Sequence, residues 1–255
     1  MTATEPDKRQ ILTATGDELA VLINHHSTDV LLALLDNPAL DETQLCLLLD
    51  RKDLPTEVLD EVGSRKNLVK NYRVKRALAF HPHTPRLTSV RLIKDLYLMD
   101  LAQLALSVGA LPELKRIAED QLLARLAQLP LGQKITLARR GPARVAGALL
   151  AEGHPQILSV VLDNAYLTEA QILKALAREK VSPAVGHAIA QHRRWSCVYN
   201  IRLALIRTPG TTLATILAFL PELNASDLRD LSAPGVVPEP LRKYLQSELD
   251  RRSGA

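Results

Sequence analysis

The stretch LDNPALDETQL, Leu35 to Leu45, returns 127 positions later as LDNAYLTEAQI, Leu162 to Ile172. The same displacement carries Tyr72 onto Tyr199, Ala77-Leu78 onto Ala204-Leu205 and Pro82 onto Pro209. It continues through Thr84 and Thr211, Asp100-Leu101 and Asp227-Leu228, and Leu104 and Leu231. Between Leu35 and Val108, 19 of 74 aligned positions are identical without a gap. Two unrelated leucine-rich helices would not keep register that long, so the chain contains an internal duplication. After a one-residue deletion, Pro112-Glu113 meets Pro238-Glu239.

A unit of 127 residues is too long for one helical hairpin and divides into three parts of about 42 residues. The intermediate copies begin at Leu54, Leu98, Gly141, Val181 and Leu223, in steps of 44, 43, 40 and 42. Each part reads as three helices. In the first they are expected over 28–36, 41–51 and 55–65, and in the fourth over 155–163, 168–179 and 182–191. Leu40-Asp41-Glu42-Thr43-Gln44-Leu45 has the form of a capping box with a hydrophobic staple, and Leu167 to Ile172 matches it position for position. Ser182-Pro183 and Thr84-Pro85 read as an N-cap followed by proline at the first helical position. Asn37-Pro38, His81-Pro82 and Thr208-Pro209 should end the helices before them, because the residue preceding proline is pushed out of the α region.

Composition agrees. The 255 residues include 49 leucines and only 8 aromatic side chains, so the interior must be aliphatic. Cys46 and Cys197 are too few for a disulfide framework or a thiolate zinc site, which points to a cytoplasmic chain. No run of 18 apolar residues occurs, and MTATEPDKRQ lacks the apolar core of a secretion signal, so neither a membrane span nor export is expected.

Three helices per ~42 residues resembles the armadillo and HEAT families, in which stacked repeats share one apolar core. The resemblance implies an all-α fold, a right-handed α-solenoid of about five repeats near 28–69, 70–111, 112–154, 155–196 and 197–237. The solenoid domain is expected over 11–237, with a cap helix near 11–27 after a flexible tail, 1–10, and a C-terminal cap over 238–255. Peptide-binding armadillo proteins carry a ladder of asparagines on their third helices. Here those helices carry Val58, Gln103, Val145 and His187, which argues against that mode of extended-peptide binding.

The net charge of +4 hides an uneven layout. Residues 1–61 carry −9, whereas 62–94, 121–151 and 181–221 contain no acid and carry +9, +5 and +4. The first basic block supplies Arg65, Lys70, Tyr72, Arg73, Lys75 and Arg76 as candidate partner-binding residues. The second supplies Arg139, Arg140 and Arg144, and the third Arg193, Arg194, Trp195, Tyr199 and Arg202. The bland reading is that these are solvated helix ends complementing helix dipoles. The sharper one is a surface for phosphate or carboxylate groups, with guanidinium forks and flat aromatic faces.

Enzyme chemistry finds little support. The seven histidines show no metal spacing: His81 and His83 flank a proline whose second copy has Thr208 and Gly210 instead, and His187 and His192 are five apart. Cys197 has neighbouring arginines but no evident base, and Cys46 reads as a small hydrophobe. Asp100 and Asp227 are explained by helix starts; Tyr72 and Tyr199 read as structural, their hydroxyls reaching a backbone carbonyl. No phosphate-loop or nucleophile-elbow motif is present, and no cofactor or metal site is expected. The expectation is a non-enzymatic scaffold for an acidic protein partner, with nucleic-acid binding through the three basic blocks as the alternative.

Overall fold

Helix-forming leucine periodicity punctuated by prolines is what the chain contains throughout. A computed structural model describes residues 7–253. Among them lie nineteen α-helices, two short 3-10 segments and no strand. None of these helices is long and apolar enough to cross a membrane. The chain divides into two compact units, Met1–Leu122 and Leu123–Ala255.

The first unit runs α1 (Lys8–Thr13), α2 (Gly16–Ile23), α3 (Thr28–Leu34), α4 (Glu42–Asp50), α5 (Thr56–Ser64), the single turn α6 (Lys66–Val69), α7 (Tyr72–Phe80), α8 (Arg86–Ile93) and α9 (Leu98–Leu106). Helix α10 (Pro112–Arg125) carries the division between units. The second unit continues with α11 (Leu131–Arg140), α12 (Ala143–Glu152), α13 (Pro155–Val161), α14 (Glu169–Leu176), α15 (Pro183–Gln191), α16 (Tyr199–Arg207), α17 (Leu213–Phe219), α18 (Ala225–Ser232) and α19 (Glu239–Ser253). The helices expected in the first and fourth parts are present to within three residues at each end.

Packing repeats with the sequence. In the first unit α1 lies on α3 and α3 on α5, while α2 lies on α4 and α4 on α7. In the second, α11 lies on α13 and α13 on α15, while α12 lies on α14 and α14 on α16. These helices therefore lie in two rows within each unit, packed on fully buried aliphatic side chains such as Leu31, Leu48, Leu59 and Leu78, or Leu149, Ile157, Ile172 and Ile189. Burying each such side chain contributes about 2 kcal/mol.

Two asparagines hold the rows in register. Asn37 Nδ2 donates to the carbonyls of Ile11 and Ala14 at 2.6 and 3.0 Å, while its Oδ1 accepts from Ala39 N–H at 2.7 Å. Asn164 donates to Ala138 and Gly141 at 2.8 and 3.1 Å and accepts from Tyr166 N–H at 2.7 Å. Every partner is displaced by 127 residues. The duplication thus reaches back to α1 and α2, the counterparts of α11 and α12, although only two pairs, Leu22 with Leu149 and Leu31 with Leu158, are identical between 8–34 and 135–161.

That finding changes three details. The segment expected to be one cap helix is a pair, α1 and α2. Residues 8–10 of the expected tail are helical, opened by a capping box between Asp7 and Gln10; the tail's residues 1–6 lie outside those described. Two caps also differ from expectation. Asp41 accepts from Gln44 N–H at 2.8 Å and Gln44 Oε1 accepts from Asp41 N–H at 2.9 Å, but Thr168 makes no cap bond. Gln171 lies instead against Gly147 of α12. Thr84 and Thr211 turn their hydroxyls backward onto the carbonyls of Leu78 and Leu205, each at 2.7 Å, satisfying the preceding helix.

Candidate functional site

The basic candidates separate once their partners are followed. Arg65 closes the first unit internally: Nη1 donates to the Leu35 carbonyl at 2.9 Å and to Asp36 at 2.6 Å, and Nε to Glu61 at 2.7 Å. In the second copy this work is split. His192 Nε2 is 3.1 Å from Asp163, and the indole N–H of Trp195 donates to the Leu162 carbonyl at 2.8 Å. Trp195 is consequently buried, and its ring is not a platform for a ligand.

Tyr72 and Tyr199 are structural, with different partners from those expected. Each hydroxyl donates to a carboxylate, Asp100 or Asp227, and accepts from a backbone amide at the start of the third helix, Tyr97 N–H at 2.9 Å or Asn224 N–H at 3.0 Å. Burial, with the Asp100 carboxylate adding to it, pushes the Tyr72 hydroxyl up to about 12. Burial likewise raises Tyr199. Tyr72 also stacks on Tyr97 at 3.8 Å between centroids, which covers one ring face. Arg76 binds Asp100 at 2.7 Å and Gln103 at 3.0 Å, and Lys75 binds Asp95 at 2.8 Å. Arg202 binds the Ser196 carbonyl at 2.6 Å and Glu222 at 3.0 Å.

Six candidates stay on the surface. In the first unit these are Lys70 and Arg73, the latter 3.9 Å from Glu42. In the second they are Arg139 and Arg140, in the last turn of α11, and Arg193 and Arg194, in the turn after α15. The Arg194 guanidinium lies 4.2 Å above the Trp195 ring. Among the described residues Arg139, Arg140, Arg193 and Arg194 have no acidic partner.

No family model, no curated protein and no solved structure matches the chain. Among the described residues no three histidine, cysteine or acidic side chains gather to hold a metal ion. Cys197 is exposed, its thiol directed to the Arg193 carbonyl at 3.4 Å, and burial pushes the Cys46 thiol up.

Arg144, the last candidate, leads to a site that the basic blocks did not delimit. Helices α12 and α14 pack at Gly147, where an added Cβ would come within 2.7 Å of the Gln171 side chain. Beside that contact runs a groove of about 260 Å³. Arg144, Gly147 and Ala148 form its α12 wall; Gln171, Lys174, Ala175 and Arg178, at helical spacings of three and four, form the other. Three cationic side chains and no acid line it. Lys174 and Arg178 fall in a block of net −1, so charge counting along the chain passed over them.

Proposed function

We propose that the chain is a non-enzymatic α-solenoid scaffold of the armadillo or HEAT kind, and that its second unit binds an acidic surface of another protein. The solenoid reading is supported by the two rows of helices that each unit builds with a 127-residue register. The partner reading is carried by one observation: four exposed arginines, Arg139, Arg140, Arg193 and Arg194, lack acidic partners in a unit whose sequence carries +7, against −3 in the first unit. Exposed guanidinium groups without an acidic partner are already poised for carboxylates, and they steer an anionic partner toward the surface.

The nucleic-acid alternative depends on aromatic faces interleaved with the basic residues. Burial of Trp195 and the stacking of Tyr72 on Tyr97 remove two of the three such faces, so the acidic-protein reading is the better supported. The test is a variant with all four arginines changed to glutamate, titrated with a fluorescent poly-glutamate peptide and with single-stranded DNA at about 0.05 and 0.2 M salt. The expected result is saturable peptide binding that the variant loses by 30-fold or more. Equal peptide affinity for variant and wild type overturns the reading, and DNA bound far more tightly than peptide reverses the order of the two.

A further inference from the structure

The geometry points to a phosphate-monoester site in the groove between α12 and α14, with Lys174 and Arg178 as its anion ligands. This inference deepens the acidic-partner reading and rests on it, because it names the group that the second unit recognises.

The argument turns on what an arginine does in each copy. Arg51 and Arg178 are equivalent by the 127-residue shift. Arg51 is consumed: Nη1 donates to the carbonyls of Ile23 and His25 at 2.5 and 2.8 Å, where α2 ends, and the rest of its fork holds Asp53. The Ile23 carbonyl belongs to the last turn of α2 and that of His25 lies just past it, and both need donors from outside the helix. In the second copy, α12 runs two residues longer and ends at Gly153, with φ at +74°. The Gly153 N–H donates to Leu150, the counterpart of Ile23, at 3.2 Å. A left-handed glycine cap thus replaces the guanidinium. Asp53 is replaced by Lys180. Arg178 is left exposed, with no internal hydrogen bond or ion pair among the described residues.

The neighbouring positions changed in the same direction. Lys174 stands where the first copy has Leu47, and Arg144 where it has Asp17. On the equivalent surface of the first unit Val21, Leu47 and Asp17 are exposed, so it offers apolar side chains and an acid where the second offers cations. Gly147 and Ala175 keep the floor of the groove low, and Gln171 offers an amide that makes no hydrogen bond among the described residues. Arg144 is already engaged within the chain and serves as a fixed wall. A phosphate monoester carries nearly two negative charges and three strong acceptor oxygens, which an arginine fork, an ammonium and an amide can share. A single carboxylate would leave one of the two cations unmatched.

The experiment titrates the intact chain with inorganic phosphate, phosphoserine, glycerol phosphate and a phosphoserine peptide at constant ionic strength, following heat and phosphorus-31 shifts. Expected are one saturable site and a tenfold or greater loss in K174Q/R178Q. The control R207Q/R229Q, with the same charge change at two exposed arginines of the second unit that line neither the groove nor the proposed acidic-partner surface, should shift affinity less than threefold. Tighter binding of the peptide than of free phosphoserine assigns the group to a phosphorylated protein, and equal binding assigns it to a small phosphate compound; both retain the site. No saturable phosphate binding, or an equal loss in the control, overturns it. A poly-glutamate arm separates the two proposals: peptide bound without phosphate preference sinks this site alone, and phosphate bound without peptide sinks only the acidic-surface reading.

Discussion

At His81 and Thr208, equivalent residues of the two copies solve one turn differently. His81 is buried, its Nε2–H donating to the Arg51 carbonyl at 2.6 Å while Nδ1 accepts from His83 N–H at 3.2 Å. That arrangement needs the neutral ring, and burial lowers its pKa from the ordinary 6.5. Below pH 6.5 the unfolded chain therefore binds a proton that the fold refuses, so His81 stabilises fully above that value and less as pH falls toward its folded pKa. Unfolding midpoints measured from pH 7.5 to 5 should drop more for wild type than for H81T, which carries the second copy's residue. Parallel curves would show that the ring is not held neutral. The same scale explains what a sequence hides: Arg51 and Arg178 are the same letter in the same register, and the donor at residue 153 together with the exchange of Asp53 for Lys180 decides which one is spent.

At the level of helices, the duplication from Leu35 onward was legible because side chains make its bonds: Asn37 and Asn164, Tyr72 and Tyr199, Thr84 and Thr211 had to stay. Its extension to α1 and α2 was not, because Asn37 grips the carbonyls of Ile11 and Ala14, which any residue offers. Tertiary packing likewise overrode the second capping box, where Gln171 was drawn against Gly147. Glycine at position 153 carries the argument for a released arginine, and its cost is measurable. G153A should destabilise by about 2 kcal/mol, from the left-handed backbone and from a Cβ that would meet Ser182 and Val185 at 3.2 and 3.3 Å. G16A, also at positive φ but in open space, should cost about 1 kcal/mol. Equal losses in chemical denaturation would mean that α12 does not end as described.

Across the whole molecule, the two copies share architecture and have parted in chemistry. The sequence exposed that divergence as net charge per block but could not say which charges are neutralised inside. Arg65, Lys75, Arg76 and Arg202, four of the fourteen candidates, are cations spent on their own unit. The joint between the first and third helices shows what this implies. In the first unit it is closed by Arg65 with Asp36 and Glu61, partly exposed ions; in the second its carbonyl is held by a buried, uncharged indole N–H. Dissolved ions screen the former within a few ångströms at 1 M and barely reach the latter. Transferred from dilute buffer to brine, amides of residues 28–69 should lose about two- to fivefold of their hydrogen-exchange protection relative to those of 155–196. One duplicated joint would then be a salt gauge and its twin, held mainly by the indole with His192 beside Asp163, far less sensitive to salt, and identical protection ratios at both ionic strengths would show that the ions at Arg65 hold nothing.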